Sequence, residues 1–474
     1  MTTKAIKQKL NDSTSARWTA LLIVAFTMMM GYFITDVMSP LEDMLETPLA
    51  KGGFGWSSTE YGFFSGSYGF INVYLLMLFF GGLILDKMGV RFTGVLACCL
   101  MVAGVFIKYY ALQFMTPEGT TYVNIPFLGL SQAYVKNQVL VAAVGFSIFG
   151  CGSEICGITV SKVIAKWFTG HSMAIALGLQ VALARLGTAA ALGFSAPIAH
   201  AFHISTPVLM GGALLCIGLL AYLVYCVMDK KLDASVEAVE SEKISEATTF
   251  EDEGFHLRDL GAIFTNPGFW LICLLCLLFY SGVFPFLKFA TKLMVSKYAI
   301  KSTVAGYIPM LLPFGTIFLT PLFGGIYDKI GKGATLMIIG SVMLVVVHVL
   351  FALPILNNAA FAIFLMIVLG IAFSLVPSAM WPSVPKIIPM KLLGSAYAII
   401  FYIQNIGLSM VPILIGRVLD ANTTVTANGD KVLDFTQAMW IFAGFGIVAV
   451  LLAVGLKVLN AKKGYGLEEA NIKK

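Results

Sequence analysis

The chain has 474 residues, 58% of them apolar and only 12% charged, with a mean hydropathy of +0.88. Soluble domains carry about 25% charged residues, so this composition excludes an ordinary soluble fold and points to a polytopic membrane protein. The net charge of +6 is spread over loops and tails rather than gathered on one face, so no nucleic-acid partner is expected.

A basic amphipathic tail (Lys4, Lys7, Lys9, Arg17) precedes the first apolar run. Runs that meet the roughly 20-residue length of a membrane span fall at 18–38, 61–85, 92–115, 138–165, 173–200 and 206–228. A second set falls at 268–290, 303–327, 333–354, 359–388, 392–419 and 436–459. The expected fold is an all-α membrane protein of twelve transmembrane helices: an N-terminal half at 1–228, a linker at 229–266 and a C-terminal half at 267–474. Bases recur in every second loop, at Lys87 and Arg91, Lys162 and Lys166, Lys230 and Lys231, Lys329 and Lys332, and Lys386 and Lys391. That positive-inside pattern puts both termini in the cytoplasm. Lys288, Lys292, Lys297 and Lys301, at the outer end of the seventh span, break the pattern and read as solvated or snorkelled side chains. The first apolar run is too long for a cleavable signal peptide. No acidic dileucine-type sorting signal stands at either end, so the plasma or inner membrane is the expected address.

The first span carries Asp36 near its outer end, followed by an acidic, Gly-rich loop at 42–60 with Trp56 suited to the interface. The second span ends in Gly82, Asp86, Lys87, Gly89 and Arg91, a loop in which glycines admit close helix packing and the acid pairs with nearby bases. A second copy, Gly324, Asp328, Lys329 and Gly331, follows the eighth span. The copies are 242 residues apart, whereas Arg185-x-Gly187 and Asn405-x-Gly407 are 220 apart. The polar stretch Thr116–Asn137 supplies the extra residues, so a six-helix unit repeats in parallel.

The fourth and fifth spans hold the deepest charges. Glu154 lies sixteen residues before Gly170 and Arg185 fifteen after it. At about 1.5 Å per residue both stand roughly 23 Å above the intervening turn, level on neighbouring helices. A charge at that depth is costly and marks a pathway, and Arg185 is expected to hold Glu154 ionised. After the sixth span an acid-rich stretch (Glu237 to Glu253) reads as a flexible tether. The second half is rich in proline, and Phe284-Pro285-Phe286 and Met380-Trp381-Pro382 are the expected cavity-facing bends. Tyr397, Gln404 and Asn405 on the eleventh span form a candidate polar wall. All eight cysteines fall within spans, so Cys273-x-x-Cys276 reads as packing rather than metal. His200, His203 and His348 show no relay spacing to the Glu154–Arg185 pair. No Ser/His/Asp set, metal cluster or phosphate loop occurs, so neither an enzyme nor a cofactor is expected.

The two Gly…Asp-Lys-x-Gly loops match the signature of the major facilitator superfamily, once in each half. Several further stretches resemble the lysosomal dipeptide transporter branch: Tyr32-Phe33 with Asp36, Gly150 to Glu154, Lys166-Trp167-Phe168, Gly178-Leu179-Gln180 running to Ala184-Arg185-Leu186-Gly187, Val283 to Phe286, Met380 to Pro382, and Gln404 to Leu408. That resemblance implies alternating-access movement of dipeptides, with an acid on the fourth helix and an arginine on the fifth at the substrate, here Glu154 and Arg185. A zwitterion offers an ammonium to the carboxylate and a carboxylate to the guanidinium fork. A uniporter, monomeric in the bilayer, is the expected form. Related carriers can use a small accessory membrane subunit, on which the sequence is silent. The alternatives are a proton-coupled small organic anion or monocarboxylate carrier, a drug exporter (disfavoured by Ala191-Leu192 where Gly-Pro is expected), and a receptor or scaffold that transports nothing.

Overall fold

A computed structural model describes residues 9–168, 171–243, 260–389, 392–425 and 431–471. The middle of the expected linker, 244–259, and the loop base Lys391 lie outside them. The helices of the first half are α1 (Thr14–Asp36), α2 (Glu42–Glu46), α3 (Ser58–Gly66), α4 (Phe70–Tyr74), α5 (Met77–Phe114), α6 (Asn137–Phe168), α7 (Met173–Ala201) and α8 (Thr206–Lys243). Those of the second are α9 (Leu260–Phe264), α10 (Pro267–Tyr298), α11 (Ser302–Ala305), α12 (Tyr307–Ile330), α13 (Gly333–Ala352), α14 (Ala359–Ile387), α15 (Leu393–Ala421) and α16 (Thr436–Lys463). The polar insertion forms an antiparallel hairpin, β1 (Thr120–Ile125) with β2 (Leu130–Lys136), and a smaller one, β3 (Thr423–Val425) with β4 (Lys431–Leu433), follows α15.

Among the described residues eleven helices are long and apolar enough to cross a membrane. The second expected span is the exception. It is broken into α3, a 3-10 turn at Ser67–Gly69, α4 and the start of α5. The chain leaves helical geometry at Leu75 and Leu76, the latter left-handed with φ 53°, while Gly62, Gly66 and Gly69 let another backbone approach α3. Within α5, Gly89 turns the chain with φ 75° and ψ 173°, a conformation that favours glycine. The sixth span is longer than expected: α8 runs to Lys243, and Asp229 is buried in the fold rather than starting a tether. Asp229 accepts hydrogen bonds from Trp167 Nε1 at 3.2 Å and Tyr225 OH at 3.0 Å, and pairs with Lys166 at 2.9 Å and Arg91 at 3.3 Å.

The face at which α1 begins and α16 ends is the terminal face, and the opposite one the distal face. The halves join along two distal seams, α3 against α15 and α7 against α12. In the first seam a Cβ at Gly62 would stand 3.1 Å from Gly416 Cα and closer still to the Pro412 carbonyl oxygen. Ser409 Oγ donates to the Gly66 carbonyl at 2.9 Å. Asp420 of α15 accepts from the Ser58 and Thr59 amides at 2.9 and 2.7 Å, which caps the N-terminus of α3 from the other half. In the second seam Gly306 meets the Leu192 carbonyl and Gly193 meets the Met310 sulfur. Toward the terminal face the halves part: nothing lies within 4 Å of a Cβ built at Gly82, Gly178, Gly324 or Gly394. The close packing expected at Gly82 and Gly324 is absent in this arrangement.

Candidate functional site

The described residues enclose a cavity of about 680 Å³ between the halves, within the roughly 300–1,000 Å³ range of small-molecule sites. Asp36, Glu154, Arg185, Trp381, Gln404 and Asn405 all line it. Tyr397 does not. Its hydroxyl donates to the Trp381 carbonyl at 3.2 Å and its ring packs on the Trp381 indole, so it stands behind the wall it was expected to form.

Glu154 and Arg185 face the same space without forming the expected ion pair. The reason is α1, which packs against both α6 and α7. Gly187 abuts the Met29 backbone, and a Cβ at Gly157 would stand 3.8 Å from Met28. With that helix wedged between their own, Glu154 Oε1 accepts instead from Tyr68 OH at 2.9 Å. Arg185 has no carboxylate within 4.0 Å among the described residues. Its guanidinium carbon lies 5.8 Å from the ring centre of Tyr32, 5.3 Å from Phe284 and 5.3 Å from Phe373. Three aromatic faces at that distance hold a cation without consuming its N–H donors, and α10 and α14 of the second half supply two of them. The arrangement leaves the Glu154 carboxyl, held by Tyr68, and the forked Arg185 donor lining one chamber with no ion pair between them.

The second-half wall is aromatic and amide-bearing. Trp381 Nε1 donates to Tyr280 OH at 3.0 Å, and its indole stacks on Phe401 with centroids 5.0 Å apart. Gln404 Oε1 accepts from Cys276 Sγ at 3.5 Å. Asn405 Nδ2 donates to the Phe401 carbonyl at 3.0 Å while its Oδ1 is buried without a partner among the described residues. Cys273 and Cys276 are free and buried, and no cluster of His, Cys, Asp or Glu suited to a metal occurs among the described residues.

Of the four lysines read as solvated or snorkelled, Lys301 is exposed and the other three are engaged. Lys288 lines the cavity and donates to Asp36 Oδ1 at 2.6 Å and to the Thr35 carbonyl at 2.7 Å, tying α10 to the end of α1. Lys292, one turn further toward the distal face, pairs with Asp43 at 2.7 Å and lies 3.8 Å from Glu46. Lys297 donates to the Phe351 and Leu353 carbonyls. The i, i+4 spacing of Lys288 and Lys292 on one helix face, with Asp36 and Asp43 seven apart in the first half, was the available signal. Tyr68 and Phe373 had none, since an aromatic residue in a span is usually packing, and Tyr32 stood out only in a stretch that carried the resemblance.

The signature loops sit at the terminal face, outside the cavity lining. Asp86 is 74% exposed and pairs with Lys162 at 2.7 Å, Lys87 is exposed, and Arg91 reaches Asp233 at 2.7 Å as well as Asp229. Asp328 accepts from Asn471 Nδ2 at 2.7 Å, and Gly331, with φ 72°, lies against the Glu469 and Ala470 backbone while Lys329 points to solvent.

Comparison with known proteins gives a consistent picture. The Major Facilitator Superfamily description matches residues 21–412. Curated relatives include the lysosomal dipeptide transporter MFSD1 of Bos taurus, 25% identical over 415 residues (85% of this chain and 80% of the relative). That of Homo sapiens is 25% identical over 416 residues, with the same coverage. Solved structures with the same fold include the nucleoside transporter NupG (TM-score 0.64, 15% identity, 94% of this chain and 99% of that one). A D-xylose-proton symporter matches with TM-score 0.64 and 19% identity, covering 92% and 97%. A POT family transporter in complex with a thioalcohol-conjugated peptide matches with TM-score 0.65 and 14% identity, covering 94% and 96%.

Proposed function

This chain belongs to the Major Facilitator Superfamily and is a multi-pass membrane transporter, and on that premise we propose that it moves dipeptides or similar small zwitterions as a uniporter. The carrying observation is the unpaired Glu154 and Arg185 across one cavity. A substrate ammonium meets the Glu154 carboxylate, steadied by Tyr68, and a substrate carboxylate meets the Arg185 fork in its aromatic cage. Trp381, Gln404 and Asn405 contribute an aromatic face and amide groups for the peptide bond. Because Arg185 is held by rings from both halves, substrate binding and the approach of the halves are linked.

In this reading 1–228 and 267–474 are the two six-helix halves, 229–266 is their cytoplasmic link, and the broken segment 58–88 is the twelfth crossing. The terminal face is cytoplasmic by the charge of its loops, so this arrangement is open to the cytoplasm and closed outside. The address we favour is the cell membrane. The dipeptide transporters among the relatives support the substrate class, and the free cation in the cage supports a carboxylate at one end of it.

Exchange of a labelled dipeptide by purified protein in liposomes tests the reading. Dipeptides compete, while monocarboxylates at equal concentration do not. Competition by monocarboxylates alone would favour an organic-anion carrier instead.

A further inference from the structure

The outer seam contains a carboxyl group that the transport site does not use. Glu42, at the start of α2, is fully buried, with a relative exposure of 0%, and neither of its carboxyl oxygens has a hydrogen-bond partner among the described residues. Its neighbours are otherwise provided for. Asp43 holds Lys292, Glu46 Oε1 accepts from Ser58 Oγ at 2.6 Å, and Asp420 is spent on the α3 amides. The charged groups facing Glu42 are Asp43 and Glu46 from its own helix, Lys292 from α10 and Asp420 from α15, with the Tyr61 phenol of α3 beside them. Tyr61 OH donates to the Lys288 carbonyl at 2.9 Å, away from the carboxyl. Four carboxyl groups thus surround one ammonium. An ionised Glu42 would be a charge without water, hydrogen bond or counter-ion of its own, which burial penalises by several kcal/mol.

We propose that Glu42 is a proton-binding site of the outer seam, occupied when the halves close on the outside and emptied when they part. Closure brings Lys292 onto α2 and Asp420 onto the start of α3, both from the second half, and expels the water that an ionised Glu42 needs. Opening returns that water, and the carboxyl ionises. Lys288 and Asp36, one turn deeper, stand between this cluster and the cavity, so the proton enters and leaves from the outer side alone. Outer pH then sets the balance between the two arrangements without any proton crossing the membrane. For one proton bound on closure, the closed-to-open ratio falls by up to about tenfold per pH unit above the ordinary range of a glutamate.

The consequence for transport rests on the proposed function, but the test needs no substrate, so either can fail alone. Spin labels are placed at the distal rim of each half by Phe202→Cys and Val432→Cys, in a protein whose own cysteines are replaced. Both positions are exposed, Phe202 at 78% and Val432 at 52%. Pulsed EPR distances in nanodiscs are read from pH 5.5 to 8. The expected result is a closed population that declines with rising pH by at least fivefold over the range, with Glu42→Gln closed throughout and changing by less than twofold. Glu42→Asp, which keeps a titratable group, retains the decline. A wild-type ratio that does not move, or a Glu42→Gln ratio that moves as the wild type does, overturns the proposal.

Discussion

Substituting Gly62 by alanine acts on one conformation of the transporter and not the other. In the arrangement with the distal seams closed, which the proposed orientation makes outside-closed, the new Cβ meets the Pro412 carbonyl oxygen, with Gly416 Cα at 3.1 Å and Pro412 C at 3.2 Å. All three are backbone atoms, so no side-chain rotation relieves them and α3 must back away from α15. Overpacking of this kind costs about 1–3 kcal/mol, and each 1.4 kcal/mol is a factor of ten in an equilibrium. The outside-closed population should therefore fall roughly 5- to 150-fold relative to the outside-open one. Gly82→Ala is the control, since nothing lies within 4 Å of its Cβ here. The assay is the distal-rim distance between labels at positions 202 and 432, with a long-distance population appearing in Gly62→Ala and not in Gly82→Ala. A Gly62→Ala distribution identical to the wild type would refute the reasoning, because the seam would then not be what holds the outer face shut.

Arg185→Lys should weaken dipeptide binding roughly 10- to 100-fold, as does Arg185→Ala, because a point charge replaces neither the bidentate fork nor its planar fit to the cage; calorimetric titration reads it. Asp86→Asn breaks an exposed pair with Lys162, worth about 0–1 kcal/mol, so equilibrium binding should change by less than about fivefold while turnover in liposomes slows. With equal dipeptide on both sides, an imposed pH gradient should alter the rate of exchange but drive no accumulation; uphill uptake abolished by a protonophore would establish symport.

Eleven of the spans, and the placing of Glu154 and Arg185 on one cavity, were legible in the sequence because each rests on a local rule: length of an apolar run, or depth along a helix. The break in the second span was less so, although Gly62, Gly66 and Gly69 lie on one face and small-residue spacing is a signal of close helix approach. The spatial order of helices was not legible. Equal depth placed Glu154 and Arg185 level, but only the insertion of α1 between α6 and α7 explains why they stay apart. The same long-range packing brings Lys288 to Asp36 across 252 residues of chain and sets Tyr397 behind Trp381 rather than beside it. It also leaves Glu42, in the stretch read as an acidic loop, fully buried on α2.

The central claim is that both ends of a zwitterion are gripped, one by Glu154 and the other by Arg185. It is tested most directly by exchange of one labelled dipeptide in liposomes, challenged with the same dipeptide, its N-acetyl form and its C-terminal amide. The account predicts that the unmodified dipeptide competes and that each blocked form competes at least tenfold more weakly. Arg185→Ala should lose discrimination against the amide, and Glu154→Gln against the acetylated form. Equal competition by all three in the wild-type protein would contradict it.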